Sequence, residues 1–351
     1  MNSNWFNKIT TFTIGWFISL LLWKSIRKTG INEYLDYTDI NVSYLYTFAS
    51  IVTISLFAGV FFGSIQYYQE KYLTRKTSFR SLLITSLTLH VFTMVFIYLT
   101  LYIILRIIGL DKNIQFIDFL TSPLTITNLI YSILVNSSIV ILIQVNRLLG
   151  KGYLGKLITG KFYEPKEELR AFMFLDLKGS TTIAESLGHI KYSRFIQDCF
   201  SDLLVVEKHK AEVYQYVGDE VVLTWKIKKN DTIVHCLKAY FSYANCLETK
   251  SDYYKSNYNI VPFFKAGMHI GLITAVEVGE LKREIAYHGD TINIASRIQE
   301  QCKIYNQKFL ISDSVVAYIQ KSDLFSFTKM GEETLRGKKK PVTIYSVAKS
   351  L

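Results

Sequence analysis

Three stretches of this chain run without charge for longer than a globular core requires. Tyr44–Ile65 holds 22 residues with no Asp, Glu, Lys or Arg, Leu82–Leu105 holds 24 and Leu124–Val145 another 22. A helix needs about 20 predominantly apolar residues to cross the hydrocarbon core of a bilayer, so each run is long enough to span one. Ile9–Trp23 is a shorter fourth run, bracketed by Lys8 and Lys24, with Trp5, Trp16 and Trp23 close by. No small-residue cleavage motif follows it, which favours a membrane helix over a signal peptide. Residues 1–145 therefore read as an all-α transmembrane bundle of four helices.

The net charge of +11 over 351 residues admits nucleic acid or a membrane surface as a partner. Its distribution separates the two. Residues 1–165 carry 14 Lys and Arg against 7 Asp and Glu, concentrated in the segments between the apolar runs. Four spans return the chain to its starting side. With the C-terminal half inside, nine basic residues (Lys8, Lys71, Arg75, Lys76, Arg80, Arg147, Lys151, Lys156 and Lys161) fall inside, against five outside (Lys24, Arg27, Lys28, Arg106 and Lys112). The positive-inside bias then predicts a multi-pass protein of the cell membrane with a cytoplasmic second half. Residues 146–165, with Gly150, Gly152, Gly155 and Gly160 among Lys and Arg, read as a basic juxtamembrane linker against lipid headgroups. Within the spans, His90 and Asn136 are expected to hydrogen-bond between helices.

The second half alternates strand and helix patterns. Arg170–Leu177 is a short apolar run followed by Gly179, as in a buried strand, and Ser180 or Thr181 can cap a helix running towards Lys210. Glu212–Val217 and Glu220–Lys226 flank Gly218-Asp219, a hairpin signal. A helix over Thr232–Tyr254, strands over Phe263–Val278 and Glu284–Tyr287, a helix over Thr291–Tyr305 and short elements ending in Val342–Val347 complete it. This order is the split βαβ pattern, so an α+β ferredoxin-like domain is expected, with helices on one face of the sheet. Cys199, Cys236, Cys246 and Cys302 form no CxxC pair, which argues for reduced thiols rather than zinc.

Asp176 ends an apolar strand, where packing would not choose a carboxylate, and Asp219 sits at the tip of the hairpin. If the hairpin pairs beside the first strand, both meet at one sheet edge and form a hard oxygen site suited to Mg²⁺ or Mn²⁺. Taken singly, Asp219 is better accounted for by turn chemistry and Asp176 by helix capping. Asn293 and Arg297 are four residues apart and share a helix face; an Arg there can neutralise charge on a phosphate. Leu335-Arg336-Gly337-Lys338-Lys339-Lys340-Pro341 reads as a solvated loop or as one that closes over a triphosphate.

Together FLDLKGST, YVGDE, GDTINIASR and RGKKKPV, in that order, resemble the catalytic domain of class III nucleotidyl cyclases, over residues 166–351. The resemblance implies that a nucleoside triphosphate is converted to its 3′,5′-cyclic nucleotide and pyrophosphate. It further implies that Asp176 and Asp219, with the Leu177 carbonyl, bind two divalent metal ions (Mg²⁺ or Mn²⁺). By the same likeness, backbone around Gly179, Ser180 and Thr181 holds the β- and γ-phosphates, and Asn293 orients the ribose. Arg297 would stabilise the transition state, and Lys338, or Lys339, would grip the triphosphate. Family members share each site between two domains, which implies a head-to-tail homodimer, and nucleic acid is not needed to explain the basic balance.

The likeness departs from the family where the base is read. Adenylate cyclases of this class commonly use Lys with Asp or Thr, and guanylate cyclases Glu with Cys; this chain has Gln215 and Ala286 at those positions. Family base rates imply ATP, with GTP or a pyrimidine triphosphate as alternatives. A catalytically silent nucleotide-binding module is the competing reading; retention of Asp176, Asp219, Asn293 and Arg297 argues against it.

Overall fold

The computed structural model describes residues 3–35, 44–73, 78–108, 115–150, 152–228, 231–319, 324–334 and 341–350. They divide into two compact units, Met1–Leu149 and Gly150–Leu351.

The first unit is helical: α1 (Ser3–Leu35), α2 (Tyr44–Leu73), α3 (Phe79–Ile108), the short α4 (Phe116–Thr121) and α5 (Pro123–Leu149). Four segments are long and apolar enough to cross a membrane: Trp5–Ile26, Tyr44–Tyr72, Arg80–Ile108 and Pro123–Leu149. The first exceeds the 15-residue run in the sequence because Trp5 and Phe6 extend it N-terminally and Ser25 and Ile26 beyond Lys24. It packs on α2 through a Gly-x-x-x-Gly pair. A Cβ at Gly59 would meet the Thr13 side chain, and one at Gly63 would lie 2.8 Å from the Ile9 Cα, so only glycine permits this approach. Phe12, Trp16, Phe62 and Ile139 fill the space between helices. At one end Glu70 of α2 pairs with Lys8 of α1 and Arg147 of α5, each at 2.7 Å. His90 of α3 joins α5 through Ser132 Oγ at 3.2 Å, the interhelical role expected of it. Asn136 lines a cavity of about 10 Å³ with His90, Gln66 and Ser86, and its Oδ1 has no partner among the described residues.

The second unit begins with α6 (Tyr153–Ile158). There follow β1 (Lys166–Leu177), α7 (Ser180–Asp202), β2 (Glu212–Val217), β3 (Glu220–Lys226), α8 (Asp231–Thr249), α9 (Ser251–Tyr258) and β4 (Phe264–Val278). Next come β5 (Glu284–His288), α10 (Asp290–Ile304), β6 (Phe309–Ser312), α11 (Asp313–Tyr318), β7 (Phe325–Glu333) and β8 (Val342–Lys349). The sheet runs β2-β3-β1-β4-β6-β8-β7, with β5 added to β4. Its first four strands have the ferredoxin-like order, with β1 antiparallel to both neighbours.

Strand alternation assigns the helices to faces. Ala171, Met173, Leu175 and Leu177 of β1 point to a core shared with Phe195 of α7 and Leu237 and Tyr240 of α8. Phe172 and Phe174 point the other way, to Ala295 of α10 and to Phe162. Helices therefore cover both faces rather than one. The reason lies in β4, where Gly267 and Gly271 clear a bed for α10: a Cβ at Gly267 would sit 2.1 Å from the Gln299 nitrogen.

Other expectations are adjusted locally. The helix expected to reach Lys210 kinks at Gly188 (φ 70°) and ends at Asp202, passing into a 3₁₀ turn over Leu203–His209. Neither Ser180 nor Thr181 caps it; Gly179, at φ 74°, turns the chain instead. The single helix expected over Thr232–Tyr254 is two, broken at Lys250. Within the segment 146–165, α5 continues to Leu149, and Tyr153, Leu157 and Phe162 pack against the sheet because they are apolar. Lys156 and Lys161 accordingly face Glu212 and Glu168. The four cysteines are free.

Gly267→Ala is expected to lower stability by about 3 kcal/mol through overpacking against the α10 backbone. Thermal unfolding of the full-length variant in detergent measures it, and an unchanged melt would contradict the contact.

Candidate active site

Asp176 lies at the C-terminal end of β1, opposite Glu220 on β3 and Lys265 on β4. The β2–β3 hairpin turns at Gly218 (φ 60°), a left-handed position that glycine adopts without strain, and this sets Asp219 beside it. The hairpin pairs beside β1, and the two aspartates meet at one edge of the sheet. Burial raises the Asp176 carboxyl above its ordinary range, Asp219's charge raises it further, and a hydrogen bond from Gln299 and the charge of Lys265 oppose the rise. Glu220 is pushed up to about 7, by burial first and then by Asp176, Asp219 and Glu300. The Tyr192 hydroxyl is also raised, by burial first and then by both aspartates, with the Ser180 hydroxyl opposing the rise.

The turn from β1 into α7 borders these carboxylates. Leu177 is buried in the core, which leaves its backbone for any role in the site. Ile183 N–H donates to Gly179 O as the first intrahelical bond, so the amides of Ser180 and Thr181 precede the ladder and are oriented as a helix N-terminus orients them. Among the described residues, no three His, Cys, Asp or Glu side chains are grouped to hold a metal. Two carboxylates with a backbone carbonyl still match the chemistry of Mg²⁺, which takes one or two protein carboxylates and completes its shell with water and phosphate.

Asn293 and Arg297 do share a face of α10, but not the face that meets Asp176. Gln299 donates Nε2–H to Asp176 Oδ2 at 3.3 Å. Arg297 lies two residues before Gln299, about 200° around the helix, and Asn293 six before, about 240°. Each chain therefore holds the aspartates and the Asn–Arg pair in separate places. Gln215 follows a bulge in β2 and is exposed, whereas Ala286 is half-buried in β5 opposite Val276. β3, β1 and β4 lie between the strands that carry them, but the rings of their neighbours Tyr214 and Tyr287 meet, 5.0 Å apart. Lys338 and Lys339 lie outside the described residues.

Residues 162–349 match the family described as the adenylate and guanylate cyclase catalytic domain. The chain belongs to this family. Adenylate cyclase 2 of Rhizobium meliloti (strain 1021) is 28% identical over 220 residues, 62% of this chain and 61% of the relative. Adenylate cyclase 1 of the same organism is 29% identical over 189 residues, 52% and 28% of the respective chains. The chain thus spans less than two thirds of the length of these relatives. A bacterial light-regulated adenylyl cyclase structure shares the fold, with TM-score 0.55 at 15% identity over 66% of this chain and 68% of that one.

Within the cyclase domain, the sequence reading missed Tyr192, Glu220, Lys265 and Gln299. Glu220 had a local signal, being a second acid beside Asp219; Gln299 stood out only as a polar residue in the apolar stripe of Ala295, Ile298 and Cys302.

The raised Glu220 carboxyl fixes a pH dependence. A group holding its proton more tightly folded than unfolded contributes stability that is complete below about 4.5 and lost as pH rises through about 7. In chelator, the wild type is expected to melt several degrees lower at pH 8 than at pH 6, and Glu220→Gln to lose less over that interval. Equal losses in both proteins would count against the acidic cluster.

Proposed function

We propose that this chain is a membrane-anchored nucleotidyl cyclase that converts ATP to 3′,5′-cyclic AMP and pyrophosphate, working as a head-to-tail homodimer. The observation that carries the reading is the convergence of Asp176 and Asp219 beside the N-terminus of α7, in a cyclase-family domain. The separation of Asn293 and Arg297 from those aspartates supports a site completed by a second copy. ATP is supported by relatives named adenylate cyclases. Four apolar helices support anchoring in the cell membrane, with the basic excess favouring a cytoplasmic cyclase domain.

The ribose 3′-hydroxyl attacks the α-phosphorus in line, the bond to the β-phosphate oxygen breaks, and pyrophosphate leaves. Asp176, Asp219 and the Leu177 carbonyl would hold two divalent cations, Mg²⁺ or Mn²⁺, whose chemistry is to acidify the hydroxyl and neutralise the triphosphate. Gly179, Ser180 and Thr181 cradle the β- and γ-phosphates with backbone amides. Asn293 of one subunit orients the ribose bound to the other. Arg297 places its guanidinium against charge developing at the α-phosphate, a positioned electrostatic contribution of the kind that dominates phosphoryl transfer. Lys338 holds the triphosphate.

Gln215 favours a second reading of the base. An amide both donates and accepts, so it can pair with adenine, guanine or a pyrimidine, while Ala286 offers no side-chain hydrogen bond. Full-length protein in detergent with Mn²⁺ and each of ATP, GTP, CTP and UTP, the products identified by mass, separates these. Cyclic AMP is the expected major product, and a dominant product from another triphosphate replaces ATP in the reading. Asp219→Ala is expected to lower turnover about a thousandfold, the scale of charge-stabilising groups. Wild type and variant equally inert with all four nucleotides would leave a silent binding module instead.

A further inference from the structure

α10 has two functional sides. Its inward row of Thr291, Ala295, Ile298 and Cys302 is buried against the sheet, and Gln299 belongs to this row at 8% exposure. Two close approaches fix the helix in place. A Cβ at Gly267 would lie 2.1 Å from the Gln299 nitrogen, and one at Gly271 would lie 2.4 Å from Thr291 Oγ1, which itself donates to Leu272 O at 2.9 Å. The Gln299 backbone therefore lies directly on the sheet, and its side-chain amide reaches Asp176 Oδ2.

We propose that Gln299 is a positioning residue for cation binding: its side-chain amide holds the Asp176 carboxylate in the orientation that presents the other oxygen to the metal. This rests on the cyclase reading above and deepens it. Asp176 needs such a restraint. Its neighbours Asp219 and Glu220 are acidic, and in the absence of a cation a mobile carboxylate lowers its energy by turning away from them. A neutral amide suits the task, because it donates a hydrogen bond without adding a cation that competes with the metal or an anion that adds to the repulsion. In the shared-site dimer, Gln299 then serves its own chain's aspartate while Asn293 and Arg297, on the far side of the same helix, serve the other site.

The first test reads metal binding directly. Mn²⁺ is titrated into metal-free full-length protein in detergent, without nucleotide, and free Mn²⁺ is followed by electron paramagnetic resonance. Gln299→Met, near in shape but without a donor, is expected to weaken binding about tenfold, the scale of a hydrogen bond to a charged group. Gln299→Asn, one methylene short of the carboxylate, should show the same direction of change and serves if the Met variant does not fold. Unchanged Mn²⁺ affinity in a folded variant overturns the proposal.

The second test uses mixed dimers of Asp219→Ala chains with Arg297→Ala chains, which leave one intact shared site. Gln299→Met added to the Arg297→Ala chain, which supplies the aspartates, should raise the Mn²⁺ needed for half-maximal activity; added to the other chain it should not. Equal shifts from either chain overturn the positioning role. Failure of the mixed dimers to recover any activity overturns the shared-site reading instead, and the titration still decides Gln299.

Discussion

At Gly267 the backbone of β4 leaves no room for a side chain, and α10 lies directly on it. Everything that distinguishes one side of this helix from the other follows from that contact. Gly271 repeats the close approach against Thr291, so two points along the strand set both the depth and the rotation of the helix. With rotation fixed, the sequence pattern becomes a spatial one. Ala295, Ile298 and Cys302 are committed to the sheet, Gln299 to Asp176, and Asn293 to the exposed side. A bulkier residue on β4 would lift the helix and alter the acidic edge and the Asn–Arg face together.

That acidic edge is a place where stability is given up. β1 is apolar from Ala171 to Leu175, and a carboxylate directly after this run is partly withdrawn from water, which is costly unless the charge is compensated. Compensation is incomplete: Gln299 donates and Lys265 lies across the strand, but Asp219 and Glu220 push in the opposite direction. A fold optimised for itself would place apolar residues here. A concentration of like charge that the protein does not neutralise is what a bound cation needs, and local inconsistency of this kind is expected at functional sites.

How far the sequence reveals this depends on whether the signal is local. The bounds of β2 and β3 were legible, because Gly218-Asp219 marks the turn and β-rich runs flank it. The membrane-length helices were legible from apolar length alone, Asp176 from an acid where packing would not choose one, and Asp219 from its place at the hairpin tip. The face of the sheet taken by α10 was not. Helical periodicity says which residues are inward but not against which surface, and Gly267 and Gly271 look like ordinary strand glycines until the helix is seen against them. The kink at Gly188 and the break at Lys250 were hidden because the apolar spacing continues through both. In the segment 146–165 the packing of Tyr153, Leu157 and Phe162 was hidden for the opposite reason: the lysines dominate the composition.

Those residues bear on the edge that carries Gln215 and Ala286. Arg170 is 1% exposed, and a guanidinium so placed must have its partners. It bonds Glu168 at 2.9 Å and Glu212 at 3.0 Å and stacks on the Tyr287 ring at 4.7 Å. Lys156 of α6 adds to Glu212 at 3.1 Å, and the Tyr153 hydroxyl accepts from the Ile285 backbone amide. Glu212 begins the strand that carries Gln215, and Ile285 and Tyr287 flank Ala286. A buried ion pair contributes little net stability, but it is strict about geometry, because removing one partner leaves a buried charge without compensation. The segment following α5 is thus bonded to the two strands that carry the departures from the family's base-reading pair. Gln215 and Ala286 pair with Val222 and Val276 in the sheet, and the frame of charges and rings holds the ends and neighbours of their strands, so a substitution at either position leaves that frame intact.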